Sequence, residues 1–339
     1  MGSSDHSTAP AVSAEFLAVF RARAGPAGHM RFDQFMELAL YHPSVGYYRP
    51  DRPRVGYAAG TDFFTASTSG PIFGELIAAA CVKLLAGRDP REFAFVEIGA
   101  ETDGGVLAGA THPFGSARCV RLGEPAQLGG QCVVFSNELF DAKPFRRFVR
   151  RAGNWCGLGV ALHGEQLVEV ELPSAAPEKF PATAPEGYVI DAPLAASALL
   201  DQLASEPWSG LFVACDYGKS WLELSEATPA GTARAYHRHT QSSDLLARPG
   251  EQDLTCHVCW DWLAERLTAH RFSTPVIESQ EAFFVKHAGD YIAATTMAEA
   301  ARFSRKKISL LQLLHPAHLG QKFQVLHALR DSTRPAAEI

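Results

Sequence analysis

The stretch Phe95-Val96-Glu97-Ile98-Gly99-Ala100-Glu101-Thr102-Asp103-Gly104-Gly105 constrains the fold of this chain more than any other. An apolar run ends in an acid and enters a glycine-containing turn. That is the pattern at the carboxyl end of a strand in an open α/β sheet, where ligands bind. Val133-Val134-Phe135-Ser136-Asn137-Glu138-Leu139-Phe140-Asp141 repeats it. Two strands that deliver acids to one edge predict a nucleotide-type pocket. The first turn carries Glu101 and Asp103 where a phosphate cradle has glycines. Their charge repels a pyrophosphate and suits a cationic ligand, which disfavours a dinucleotide-dependent oxidoreductase.

The bulk properties narrow the class. At 339 residues, 47% apolar and 20% charged, the chain has ordinary globular composition and enough length for a large core. A net charge of -6 argues against a protein that coats nucleic acid or anionic lipid. No apolar run approaches the roughly 18 residues of a membrane span, and the N-terminus has no signal-peptide pattern. Seven cysteines, an odd number spread over a long chain, predict a reduced, cytoplasmic protein.

Along the chain, residues 1–12 are small and polar and predict a disordered tail. Ser13 caps an expected helix to Ala24 with Phe16, Val19 and Phe20 inward. A second helix is expected from Phe32 to Tyr41, before Pro43, and a third from Pro71 to about Leu85. Strands are expected at 93–98, 118–122 and 132–136, with a short helix at 106–110 between the first two. Further strands are expected around Arg147–Val149, Trp155–Val160, Gln166–Glu171 and Leu211–Cys215, and a helix over 194–205. The polar, histidine-rich 231–252 reads as an excursion over the sheet edge. Helices at about 258–269 and 291–303 precede an alternating, antiparallel last strand at 321–326.

In order, FDQFMELALYHPSVGYY, GTDFFTAS with GPIFGELIA, VEIG, SNELFDAKPFRRFV, DYG, GTARAYHRH, PGEQDLTCHV and HPAHLGQKFQVL span about residues 31–328. This series resembles the MidA family of S-adenosylmethionine-dependent methyltransferases, related to the mitochondrial complex I assembly factor that methylates arginine on a partner subunit. The resemblance implies a Rossmann-like, seven-stranded class I methyltransferase sheet with N-terminal and inserted helical elements. It implies a helical and loop region at 13–88 covering the site and a core at 89–330. Insertions fall near 220–255 and 285–318, and 331–339 forms a tail.

It also implies roles. Asp62, Phe64 and Thr65 match a cofactor-covering loop, and Glu97, Gly99, Glu101 and Gly104 belong to the cofactor turn. Glu124, after the second strand, is the candidate for the ribose hydroxyls. Asn137, Glu138 and Asp141 fall beside the methyl and its acceptor, and carboxylates suit both a sulfonium and a planar guanidinium. Asp141 also reads as the cap of a helix starting near Ala142. His257 matches a position near the acceptor channel, as base or orienter. Asp216-Tyr217-Gly218 either borders the same crevice or forms a buried turn. Cys256-His257-Val258-Cys259 lacks the second cysteine pair of a structural zinc site, so no metal is expected. The expected cofactor is S-adenosyl-L-methionine and the expected partner a protein or peptide substrate, with a homodimer left open. Only Glu97 and Gly99 keep the family's E-x-G-P-G-x-G pattern. That departure supports a second expectation, a catalytically degenerate protein that binds a partner through the same groove.

Overall fold

The computed structural model describes residues 12–49, 70–100, 104–301, 304–315 and 320–331. In chain order its elements begin with α1 (Ala14–Ala24), β1 (His29–Arg31), α2 (Phe32–Tyr41) and α3 (Pro71–Leu84). Strands β2 (Ala94–Ile98), β3 (Ser116–Val120), β4 (Gly130–Asn137), β5 (Arg146–Arg151), β6 (Asn154–His163), β7 (Gln166–Leu172) and β8 (Val189–Ala192) follow. Next come α4 (Leu194–Ser205), β9 (Trp208–Asp216), β10 (Gly218–Lys219), α5 (Trp221–Glu226), β11 (Arg234–His237), β12 (Thr240–Ser242), β13 (Asp253–Thr255) and β14 (Val258–Cys259). The last are α6 (Trp260–Ala269), β15 (Val276–Ser279), α7 (Gln280–His287), α8 (Gly289–Ala298), α9 (Arg305–Leu314) and β16 (Gln324–Arg330). The mixed α/β class is as expected. No helix among the described residues is long and apolar enough to cross a membrane.

The described residues fold as two compact units. The parallel-sheet unit takes those from Gly70 to Asp141, Ala196–Trp221 and those from Val258 on. Its strands run in the order β15-β16-β9-β4-β2-β3. That is six strands among the described residues where seven were expected. The four from β3 to β9 are parallel; at one edge β16 pairs antiparallel with β9, and β15 pairs antiparallel with β16. Parallel strands are buried on both faces, which explains the unbroken apolar runs at Val133–Phe135 and Leu211–Cys215. Alternate residues serve opposite faces. Phe95, Val133, Phe135, Leu211, Val213 and Val325 pack with Phe73 and Leu76 of α3 and Phe283 and Phe284 of α7. Val96, Val134, Phe212, Ala214 and Leu326 pack with Leu200 of α4 and Leu263 and Leu267 of α6.

The expected helix at 106–110 is absent. Val106–Ala110 is a run of turns with i-to-i+3 bonds, Ala108 N to Gly105 O and Ala110 N to Leu107 O. Glycines at 104, 105 and 109 bound a segment too short to repay helix nucleation. Nor does a helix begin near Ala142, where a turn leads into β5.

The antiparallel-sheet unit takes the described residues up to Arg49 with Ala142–Ala195 and Leu222–His257. Its main sheet runs β1-β6-β5-β8, with β7 also paired to the ten-residue β6. Phe16, Phe20, Phe32, Phe35, Tyr47, Phe145 and Val160 form its core. The stretch expected as a polar excursion holds β11 and β12, which with β13 just beyond it form a second sheet, β12-β11-β13. Arg238 and His239, at φ +47 and +62, make the two-residue turn of the β11–β12 hairpin.

Two of the sequence motifs meet inside this unit. Gly250 leaves no room for a Cβ beside Val45 O, and Arg49 Nη1 donates to both Gly46 O and Gly250 O. Tyr48 Oη donates to Asp253 Oδ1 at 3.0 Å. The GTARAYH motif wraps a buried acid, because Asp191 Oδ2 accepts the amides of Thr232 and Ala233 at 2.7 and 2.8 Å. Asp191 Oδ1 lies 3.3 Å from Arg147 Nη1.

Candidate functional site

The carboxyl ends of β2, β4 and β9 lie side by side, with Asn137 in register with Cys215 and Glu97 with Phe135. In an open α/β sheet that edge is the ligand-binding edge. Acids stand on each strand end, and each is held differently.

Glu97 is buried at 8% exposure, and its Oε2 accepts the Val106 amide at 2.5 Å. The carboxylate thus folds the following loop back on its own strand. Gly105, at φ +59, allows this, since a Cβ there would overlap Glu97 Oε2 and Cys119 Sγ. Gly99, at φ +79, passes under the Leu139 side chain where a Cβ would clash with Leu139 Cδ1. Its amide donates to Val120 O at 2.8 Å and so ties β2 to β3. Gly104 packs closely on Ala108.

Glu138 has φ +50, a left-handed conformation that costs a non-glycine residue about 1–3 kcal/mol. Its surroundings over-determine that conformation. The Glu138 amide donates to Cys215 O at 3.0 Å, and Asn137 Nδ2 donates to Glu138 Oε1 at 3.0 Å. Beyond it, Asp216 Oδ2 accepts the amides of Phe140 at 2.8 Å and Asp141 at 3.4 Å, while Oδ1 accepts that of Tyr217 at 2.8 Å. Asp216 is fully buried and anchors the 138–141 turn, whose Asp141 is 5% exposed. The buried-turn reading of Asp216 is therefore the structural one. Asn137 Oδ1 is buried with no hydrogen-bond partner among the described residues.

The turn after β9 is locked from β16. Gln324 Oε1 accepts from Trp260 Nε1 at 2.8 Å and Gly218 N at 3.2 Å, and a Cβ on Gly218 would overlap the Trp260 ring. Phe323 packs on Tyr217 with the rings tilted and their centroids 4.1 Å apart. The DYG and GQKFQ motifs thus act on each other.

Burial pushes the Asp216 carboxyl up from 3.8 to about 7, against amide donors that favour the anion. Between those values the folded protein holds a proton that the unfolded chain has released. This contribution to stability is fully present below about pH 4 and is lost as pH rises through about 7. Urea unfolding at pH 5, 6, 7 and 8 is expected to show that decline in wild type and a smaller one in Asp216→Asn. Parallel curves for the two proteins would refute the assignment.

Of the remaining sequence candidates, Glu124 sits in the turn after β3, exposed, and its Oε2 accepts the Arg121 amide at 2.9 Å. His257 falls in the antiparallel-sheet unit, where its amide donates to Thr232 Oγ1 at 3.1 Å. Asp62, Phe64, Thr65 and Glu101 lie outside the described residues. Cys259 is buried at the start of α6, and burial pushes its thiol up to about 12. The structure thus brings Glu97, Gly99, Gly104, Asn137, Glu138 and Asp141 to one sheet edge. The spacing of the sequence did not assign Asp216, Gly105 or Gln324. An acid ending an apolar run was the available signal for Asp216, and nothing local marks Gln324.

Residues 120–276 match the model of a family described as "Putative S-adenosyl-L-methionine-dependent methyltransferase". Two solved structures from Burkholderia thailandensis share the fold. A COG1565 superfamily member bound to S-adenosyl-homocysteine superposes with a TM-score of 0.80 at 25% identity, covering 95% of both chains. An uncharacterized COG1565 superfamily protein gives a TM-score of 0.77 at 23% identity, again over 95% of both chains. No curated protein sequence matches the chain.

Proposed function

We propose that this chain transfers a methyl group from S-adenosyl-L-methionine to a nitrogen of a protein or peptide, an arginine in the finest reading. The observation that carries the proposal is the likeness along 95% of the chain to a protein holding S-adenosyl-homocysteine. The match of residues 120–276 to a methyltransferase family model supports it. The arginine acceptor rests on the resemblance to the MidA family.

The residues at the sheet edge fit the cofactor. Asn137 Oδ1 is a buried acceptor in need of a donor, and Glu97, Glu138 and Asp141 supply anionic oxygens. Such a donor set suits a sulfonium and an ammonium. When bound, the cofactor supplies an activated methyl, which leaves alignment and proton handling to the protein.

In this reading the Glu97–Gly99 turn and Gly104 hold the amino-acid end, and Glu124 takes the ribose hydroxyls. Asp62, Phe64, Thr65 and Glu101 join them on the resemblance alone. Glu138 and Asp141 orient the acceptor, whose guanidinium a carboxylate pair grips in its plane. His257 as base or orienter likewise rests on the resemblance. The strained φ of Glu138 agrees with a role that outweighs its backbone cost.

A second reading, a degenerate member that binds a partner without catalysis, draws on one observation. The Glu97 carboxylate already holds the Val106 amide. Transfer of labelled methyl to arginine-containing peptides separates the two. Incorporation that falls at least about 100-fold in Glu138→Gln supports catalysis. Cofactor binding without incorporation into any substrate supports the second reading. Glu138→Gly is expected to unfold at higher urea, with a gain of about 1 kcal/mol from relieved strain, while losing transfer. A destabilised Glu138→Gly would contradict that account of the turn.

A further inference from the structure

At the antiparallel edge of the parallel-sheet unit, three side chains that methyl transfer does not use converge on one point. Glu278 comes from β15, His287 from the last turn of α7 and His327 from β16. His287 Nε2 lies 2.9 Å and His327 Nε2 3.3 Å from the same oxygen, Glu278 Oε2. All three potential ligand atoms fall within 4.8 Å of one another, the one such group among the described residues.

From this convergence we infer a zinc-class divalent metal site with His287 Nε2, His327 Nε2 and Glu278 Oε2 as protein ligands. Tetrahedral coordination at the usual bond lengths of about 2.0–2.2 Å separates neighbouring ligand atoms by roughly 3.3–3.5 Å. The His327 Nε2–Glu278 Oε2 separation, 3.3 Å, already matches that spacing, the His287 separation of 2.9 Å is a few tenths of an ångström short of it, and no pair of the three exceeds 4.8 Å. Two imidazoles and one carboxylate select zinc, cobalt or nickel over calcium or magnesium, which prefer all-oxygen shells. The side chains are 13%, 10% and 8% exposed, buried enough to hold a geometry and open enough for a water as fourth ligand.

The surroundings hold the ligands in place. The imidazoles meet edge-on at 5.3 Å, and both pack on Phe283, at 5.2 and 5.7 Å. Lys286 Nζ binds the other carboxylate oxygen, Oε1, at 2.7 Å, which fixes the carboxyl orientation and leaves Oε2 to face the histidines. Because the ligands come from β15, α7 and β16, a bound ion would fasten the edge strand and its helix to the sheet. This site does not depend on the proposed methyl transfer.

Full-length protein without a histidine tag, stripped with chelator, is titrated with CoCl2 and ZnCl2 by absorbance and calorimetry. One equivalent of cobalt is expected to give visible d–d bands that zinc bleaches, and zinc is expected to raise Tm. Glu278→Gln and His327→Gln should weaken binding by more than the roughly 10–100-fold typical of losing an outer-shell partner. Lys286→Ala, which removes the partner of Oε1 and leaves all three ligands, should weaken binding by no more than that roughly 10–100-fold. The absence of cobalt bands and of heat with the wild-type protein up to millimolar metal would show a hydrogen-bonded cluster only and overturn the inference. Binding undiminished in a folded Glu278→Gln, His327→Gln double variant would overturn it as well.

Discussion

Asp216→Ala is expected to destabilise the protein by about 3–5 kcal/mol, since it leaves buried amides without an acceptor at about 1–3 kcal/mol each. The amides of Phe140 and Tyr217 each lie 2.8 Å from this carboxylate, and that of Asp141 lies 3.4 Å away. The effect should reach the site before it unfolds the chain. Without the anchor, Glu138 loses one support of its left-handed φ and the 138–141 turn relaxes. Urea unfolding gives the stability loss, and cofactor titration of the residual folded protein should show weakened binding. A loss under about 1 kcal/mol would mean that water replaces the carboxylate without cost, and the anchor role would fail.

Gly105→Ala is the second large effect. The left-handed φ costs an alanine about 1–2 kcal/mol, and overpacking a filled site adds about 1–3 kcal/mol. The new methyl would occupy the space of the Glu97 carboxylate and the Cys119 thiol. Glu97 must then leave, and the Val106 amide loses its acceptor. Gly123→Ala is the matched control, with φ +83 but nothing near its Cβ. It should show the backbone cost without the clash. Equal losses in the two variants, measured by urea unfolding, would contradict the packing argument.

Much of the parallel sheet was legible because two-sided burial writes itself as short β-branched and apolar runs. The strands at 93–98, 132–136 and 211–215 follow from it, whereas the last strand, expected at 321–326 from alternation, runs over Gln324–Arg330. Helices α1, α2, α3 and α4 announced themselves through caps, prolines and apolar spacing. Residues 106–110 misled because apolar composition outweighed the glycines around it. Strand β15 left little trace, being four residues long with Val276 and Ile277 37% and 40% exposed. Helices α7 and α9 also passed unread, and the polar 231–252 stretch hid two strands of a three-stranded sheet.

At the site, the acids at strand ends were visible, but their division of labour was not. Asp216 serves a turn 75 residues earlier, and Gln324 holds a glycine 106 residues before it. Such pairings are set by strand order, which local patterning does not encode. The same holds for Glu278, whose histidine partners lie 9 and 49 residues away. The metal-like spacing of Cys256–Cys259, by contrast, is contiguous in the sequence.

The most direct measurement is calorimetric titration of the purified protein with S-adenosyl-L-methionine and S-adenosyl-homocysteine, on wild type, Glu97→Gln and Glu97→Ala. One-to-one binding on the order of micromolar is expected in wild type. It should be weakened in Glu97→Gln, which keeps an acceptor for the Val106 amide, and lost in Glu97→Ala. No binding of either ligand up to millimolar by the folded wild-type protein would contradict the proposed function.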